Sequence, residues 1–150
     1  MTVNWSIRAA THRDLDQLVE IEEAQFPEPW SRRLLSDELD HTTQRRYTVA
    51  ERDRLVIGVL GLMLIDRDAH INTIATRPGY ESQGVARSLL DEAMPVIESA
   101  GFVRITLEVA VGNERARDLY TSYGFAPLGI RKQYYRATGE DALVLVRTFD

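Results

Sequence analysis

The stretch RPGYESQGVARSLL, Arg77 to Leu90, places Gly79, Gly84 and Ala86 between an apolar strand and an amphipathic helix. A chain that enters a helix through a Gly-rich loop aims free backbone N–H groups at one point, and the helix N-terminus adds a positive partial charge. Small residues let an anion approach without meeting a Cβ. A phosphate is the natural guest. The loop has neither the lysine of a P-loop nor the three spaced glycines of a dinucleotide fingerprint, so the phosphate belongs to another kind of ligand. The plainer reading of the same residues is a tight turn.

Working outward from this loop, Ala69 to Thr76 is the third strand of a meander that begins with Tyr47 to Glu51 and Leu55 to Ile65. The charged turns Arg52-Asp53-Arg54 and Asp66-Arg67-Asp68 join its strands. Near the start, Trp5 to Ala9 reads as a short strand. Thr11 and Asp14 have capping-box spacing, and Leu15, Leu18, Val19 and Glu22 recur at helical period until Pro27 and Pro29 end the helix near Gln25. Ser31 caps a second helix, with Leu34, Leu35 and Leu39 on its inner face. After the loop, a helix from about Gly84 to Ala100 carries Val85, Leu89, Ala93, Val96 and Ile97 on one stripe. Pro95 predicts a kink in it, and Gly101 ends it. Phe102 to Val109 alternates as a strand. Asn113 caps a helix bearing Ala116, Leu119, Tyr120 and Tyr123, and Gly124 stops it. Two strands follow, roughly Ala126 to Tyr134 and Ala142 to Phe149. The order predicts an α/β (α+β) fold: a mixed, mostly antiparallel sheet of about seven strands flanked by about four helices.

The 150 residues are the length of one domain, and no linker or internal repeat divides them, so residues 1–150 are read as a single domain. A net charge of −5 argues against general nucleic-acid binding. The absence of cysteine excludes disulfides, thiolate metal sites and a cysteine nucleophile. His12, His41 and His70 lack metal-ligand spacing; no metal is expected, and no role is assigned to them. Ser82 and Ser88 lack a His/Asp pattern. The longest apolar stretch, Leu55 to Ile65, is too short to cross a bilayer, and the N-terminal residues do not form a signal peptide. A cytoplasmic protein without a membrane partner is expected. Residues 14–40 hold nine acidic and two basic side chains, which reads as a solvated acidic face able to attract a basic tail.

A second motif follows one helix later: ITLEVAVGNERARDLYTSYGF, Ile105 to Phe125. With FPEPWS from Phe26, IATRPGYESQGVARSLL from Ile74 and RKQYYRATGEDALVL from Arg131, it covers most of the chain. On these four stretches the chain resembles the GNAT superfamily of acyl-CoA N-acyltransferases, and within it the RimI-type ribosomal-protein alanine N-acetyltransferases. The resemblance implies acetyl-CoA as acetyl donor. It matches Glu81, Ser82, Gln83, Gly84, Val85 and Ala86, followed by Arg87, to a Gln/Arg-x-x-Gly-x-Gly/Ala loop that cradles the coenzyme pyrophosphate. Gly84 and Ala86 fit that pattern; Glu81 departs from it. A carboxylate beside a diphosphate predicts weakened coenzyme binding, partly offset by Arg87. Ile74, Ala75 and Thr76 match a strand whose backbone pairs with the pantetheine arm and polarises the thioester carbonyl. Asn113 matches an asparagine that touches that arm, and also reads as a plain helix cap.

The same resemblance implies Glu108 as general base and Tyr120 as general acid. The chemistry has its own logic: an amine must be neutral to attack, a carboxylate can take its proton, and a phenol can protonate the departing thiolate. By residue type alone, Glu108 reads as a solvated strand residue and Tyr120 as a packed helix residue. Phe26, Trp30, Arg131, Tyr134 and Tyr135 match an acceptor site. Phe26 and Trp30 also read as helix–helix core, and Arg131 with Lys132 as a solvated strand edge. Ala110 and Thr73 stand where relatives tend to carry Arg and Asn, which leaves the acceptor preference open. The expected acceptor is the N-terminal α-amine of an alanine-starting ribosomal protein, with direct transfer in a ternary complex. A small-molecule amine, a lysine side chain, or a non-catalytic acyl-CoA-binding module remain the alternatives.

Overall fold

The computed structural model describes residues 4–149. Its strands are β1 (Ser6–Ala9), β2 (Arg45–Arg52), β3 (Leu55–Ile65), β4 (Asp68–Thr76), β5 (Arg104–Ala110), β6 (Ala126–Tyr135) and β7 (Glu140–Thr148). They form one sheet in the order β1-β2-β3-β4-β5-β7-β6, with β4–β5 the parallel pair and the other pairs antiparallel. Helices α1 (Leu15–Gln25) and α2 (Arg32–Asp40) cover one face, and α3 (Val85–Ser99) and α4 (Glu114–Ser122) the other. The element order and the mostly antiparallel sheet are those read from the sequence.

Local chemistry sets the helix starts. The Thr11 N–H donates to Asp14 Oδ2 at 2.8 Å, closing the capping box around a short 3-10 turn that leads into α1. Ser31 Oγ accepts from the Leu34 N–H at 3.1 Å. Two apolar expectations fail. Leu34 is 50% exposed and Val96 is 42% exposed. Each lies one residue off the buried stripe of its helix, which is Leu35 and Glu38 in α2, and Leu89, Leu90, Ala93, Met94 and Ile97 in α3. The α3 helix runs through Pro95 to Ser99 without a break. Pro95 and Asp91, whose carbonyl loses its bond, are both exposed, so water can replace the missing donor.

The acidic stretch is not simply a solvated face. Asp14, Glu22 and Glu38 are buried, and the two glutamates reach β4. There the register shifts: Gly61 pairs with Thr73 but Leu62 pairs with Ile71, leaving Asn72 as a bulge. The bulge switches which face each side chain takes. Ala69 and Ile71 pack into the core under α3, whereas Ala75 packs under α1 and α2. Asn72 Nδ2 donates to Glu38 Oε1 at 2.6 Å, and Thr73 Oγ1 donates to Glu22 Oε2 at 2.7 Å. Two buried carboxyl groups thus hold the bulge.

The β4–β5 pairing spans only Asp68–His70 against Arg104–Thr106. Beyond it the strands part. β4 continues beside β3, and β5 continues beside β7. Backbone groups on the inner edges of this gap lose their ladder partners, and such groups seek hydrogen bonds elsewhere.

Candidate active site

The parting of β4 and β5 opens a cleft of about 910 Å³. Its walls include His70 to Ile74 of β4, Leu107 to Ala110 of β5, Asn113, Ala116 and Tyr120 around α4, the Phe26–Trp30 segment after α1, and Tyr134 and Tyr135 of β6. Residues distant in sequence therefore meet in one place: Ile74, Glu108, Asn113, Tyr120, Phe26, Trp30, Tyr134 and Tyr135. The side chain of Ala75 is buried in the core, so a ligand could meet this residue only through its backbone.

Glu108 alternates away from Ile105, Leu107 and Val109, which pack under α3, and so faces the α1 and α2 side. Its carboxylate is 14% exposed. Oε2 lies 3.0 Å from His70 Nε2, and Oε1 accepts from Arg131 Nη1 at 3.1 Å. The hydrogen bond to His70 holds the carboxyl below the usual carboxylate range; burial opposes this and Arg131 reinforces it. The group is ionised at neutral pH and fixed in direction. An ionised carboxylate has about four lone-pair sites, so two remain for other donors.

His70 belongs to this site, although the sequence assigned it no role. Its Nδ1 lies 2.8 Å from Thr106 Oγ1, which fixes the ring. His70 and Thr106 are register partners, and Glu108 lies two residues on, on the same face. Only the strand register brings them together, and no spacing within the chain announces it.

Tyr120 is 5% exposed and packs edge-on against Phe125, with ring centroids 5.8 Å apart. Its hydroxyl has no hydrogen-bond partner among the described residues. Burial pushes the phenol well above its ordinary value, so it stays protonated at neutral pH. Tyr120 sits in the core under α3, on the other side of the sheet from Glu108. The gap between the strands joins the two sides. Tyr120 is thus both a packed core residue and a wall of the cleft.

The Gly-rich loop has the backbone geometry of an anion cradle. Gly79, Ser82 and Gly84 have φ of 94°, 64° and 93°, and left-handed residues interspersed along a loop build the backbone concavities that bind anions. The first helical bond runs from Ser88 N to Gly84 O at 2.9 Å. The N–H groups of Gly84, Val85, Ala86 and Arg87 precede it and have no backbone acceptor. A Cβ at Gly84 would meet nothing within 4 Å, so the backbone here is open to a ligand. Asn113 Oδ1 accepts from the Ala116 N–H at 3.2 Å, capping α4 while lining the cleft. These features fit a coenzyme with a diphosphate and an extended amide-bearing arm: free N–H groups for the first, an unpaired strand edge for the second.

The opposite mouth is aromatic and acidic. Phe26 and Trp30 pack on the core under α1 and α2 and also line the cleft. The Glu28 carboxylate accepts from the Ala137 N–H, bridging their segment to the β6–β7 turn. Tyr134 and Tyr135 stack edge-on, and the Arg131 guanidinium lies 4.7 Å from the Tyr134 ring centre. Lys132 turns to Asp141 instead. Among the described residues no helix is long and apolar enough to cross a membrane, and no cluster of three acidic or histidine side chains could hold a metal ion.

Comparison with known proteins agrees with this geometry. Residues 15–125 match the acetyltransferase (GNAT) family. A Bacillus subtilis protein, provisionally named a ribosomal protein bS18-alanine N-acetyltransferase, is 34% identical over 97% of this chain and 96% of its own length. The Mycobacterium tuberculosis N-alpha-acetyltransferase RimI is 30% identical over 95% of this chain and 91% of its own. The crystal structure of the Escherichia coli ribosomal-protein-S18-alanine N-acetyltransferase superposes with a TM-score of 0.89 at 26% identity, covering 97% of this chain and 94% of that one. A cleft between parted strands, an anion-cradling loop and a family match over most of the chain lead to one conclusion: this protein belongs to the GNAT acetyltransferases, enzymes that draw their acyl group from acetyl-CoA.

Proposed function

We propose that this protein transfers acetyl from acetyl-CoA to the N-terminal α-amine of an alanine-starting ribosomal protein, by direct attack in a ternary complex. The observation that carries the chemistry is an ionised, fixed Glu108 and a protonated Tyr120 on opposite sides of one gap in the sheet. The name of the Bacillus relative supports an alanine of a ribosomal protein as acceptor, and that of the Mycobacterium relative supports an α-amine. A ribosomal acceptor places the reaction in the cytoplasm.

Acetyl-CoA supplies an activated acyl group. The amine enters beside Phe26, Trp30, Tyr134 and Tyr135, where Glu108 has acceptor capacity to spare. An α-amine with a pKa near 8 is about a tenth neutral at pH 7, whereas a lysine near 10.4 is almost wholly charged. Glu108 takes the proton, directly or through a water, while His70 and Arg131 keep its carboxylate aimed. The inner edge of β4 at Ile74 to Thr76 offers backbone donors for the carbonyl oxygen. Tyr120 gives a proton to the leaving sulfur. Gly84 to Arg87 hold the diphosphate through backbone N–H groups, and Asn113 steadies the arm between.

Replacing Glu108 by Gln, or Tyr120 by Phe, is expected to lower turnover by about a hundredfold or more while coenzyme affinity stays within about twofold. Full activity in both variants would refute the acid/base assignment. A second reading has one observation behind it: Glu28, Glu108 and Glu140 all line the cleft, which favours any cationic acceptor, a polyamine included. Faster acetylation of spermidine than of any peptide would move the assignment there.

A further inference from the structure

We propose that Glu81 is a built-in competitor for the coenzyme's diphosphate, holding coenzyme affinity down and speeding its release. The proposal rests on the reading above that the diphosphate sits on the 79–87 loop. Glu81 is the acidic side chain of that loop, and although it is exposed its carboxylate is held in place by two contacts. Its Oε1 lies 3.4 Å from the Gly79 N–H, and its Oε2 accepts from Gln25 Nε2 at 3.2 Å. Gln25 in turn donates to the Thr76 carbonyl at 2.6 Å and lines the cleft. The carboxylate is therefore tethered between the loop and the end of α1, at the rim of the cradle. It stands 3.4 Å from the Gly79 N–H and adds a negative charge to the same loop that the two charges of a diphosphate must approach.

Two consequences follow. Binding a diphosphate must either displace this carboxylate or accept repulsion from it, so affinity falls. Leaving is helped by the same repulsion, so product coenzyme departs faster. Arg87 does not cancel the effect. Its guanidinium turns toward α4, 3.4 Å from Ser122 Oγ and 5.8 Å from the Tyr123 ring centre.

The test is calorimetric titration of coenzyme A into the wild type, Glu81→Gln and Glu98→Gln. Glu98 is an exposed acid at the far end of α3, and its replacement removes the same charge away from the loop. Glu81→Gln is expected to bind coenzyme A about three- to tenfold more tightly, with the gain shrinking as salt rises. Glu98→Gln is expected to match the wild type. Pantetheine, which has no diphosphate, should bind wild type and Glu81→Gln alike. An unchanged or weaker affinity in Glu81→Gln overturns the proposal, as does equal tightening by Glu98→Gln or tighter pantetheine binding. Wild-type binding of coenzyme A tests the underlying reading separately; if neither protein binds it, both fall together.

Discussion

Gly61 is where the sheet and the site depend most directly on one another. It pairs with Tyr47 on β2 and Thr73 on β4, so the three residues form one row facing α1 and α2. The Tyr47 ring crosses directly over it. A Cβ at Gly61 would clash with Cε2 and Cζ of that ring and lie 2.8 Å from its hydroxyl. The ring cannot simply swing aside, because it is buried and its hydroxyl donates to Glu38 Oε1 at 2.8 Å. Glu38 also accepts from Arg45 Nε at 2.7 Å and from Asn72 of the bulge. Gly61→Ala thus forces an overpacked core, at about 1–3 kcal/mol. It also strains or breaks a buried hydrogen bond to a charged acceptor, worth about 1.5–3 kcal/mol. Together the loss should be about 3–5 kcal/mol, a large share of a typical domain's stability. Urea unfolding measures it. Gly129→Ala is the control, since a Cβ there meets nothing within 4 Å and should change stability little. A loss below about 1 kcal/mol for Gly61→Ala would refute the claim that the Tyr47 ring is held over this glycine.

Glu22 and His70 give two further predictions. Glu22 is 0% exposed, and burial raises its carboxyl pKa against the opposing hydrogen bond from Thr73. A folded-state pKa above the unfolded value near 4.3 means stability drains away as pH rises past that value, until the folded pKa is reached. Glu22→Gln removes this drain while keeping an acceptor for Thr73, so thermal melts should show the variant gaining on the wild type as pH is raised from about 4 to neutrality. An equal difference at both pH values would contradict it. For Glu108 the sign is reversed: its lowered pKa adds stability above the unfolded value, lost as pH falls through the folded one. His70→Ala removes the bond that lowers it most, so the acidic limb of the kcat profile should move to higher pH and kcat should fall at least about tenfold. A fall in rate with an unmoved limb would reduce His70 to a packing role.

Most of the architecture was legible because it is written in local chemistry. Thr11, Ser31 and Asn113 mark helix starts by side-chain capping, Gly101 and Gly124 mark stops, and the clean alternation of Arg104 to Ala110 fixes which way Glu108 faces. What stayed hidden depends on register. The bulge at Asn72 inserts one residue into β4 and flips the faces of all that follow, which no periodicity within the strand shows. Glu22 and Glu38 read as surface acids because their partners, Thr73, Asn72 and Tyr47, lie on other elements. His70 escaped for the same reason: its partners Thr106 and Glu108 are on a strand that follows an intervening helix. Leu34 and Val96 were misplaced by a single step around short helices, where one residue turns a side chain by about 100°.

The α-amine claim has one direct test: mass spectrometry of an alanine-starting peptide carrying one internal lysine, incubated with the protein and acetyl-CoA. Its N-terminally blocked twin is treated in parallel, and fragmentation locates the label. The account predicts one acetyl group on the α-amine of the first peptide and none on the second. Acetylation of the blocked peptide at its lysine, or no acetylation of either while coenzyme A binds, would contradict it.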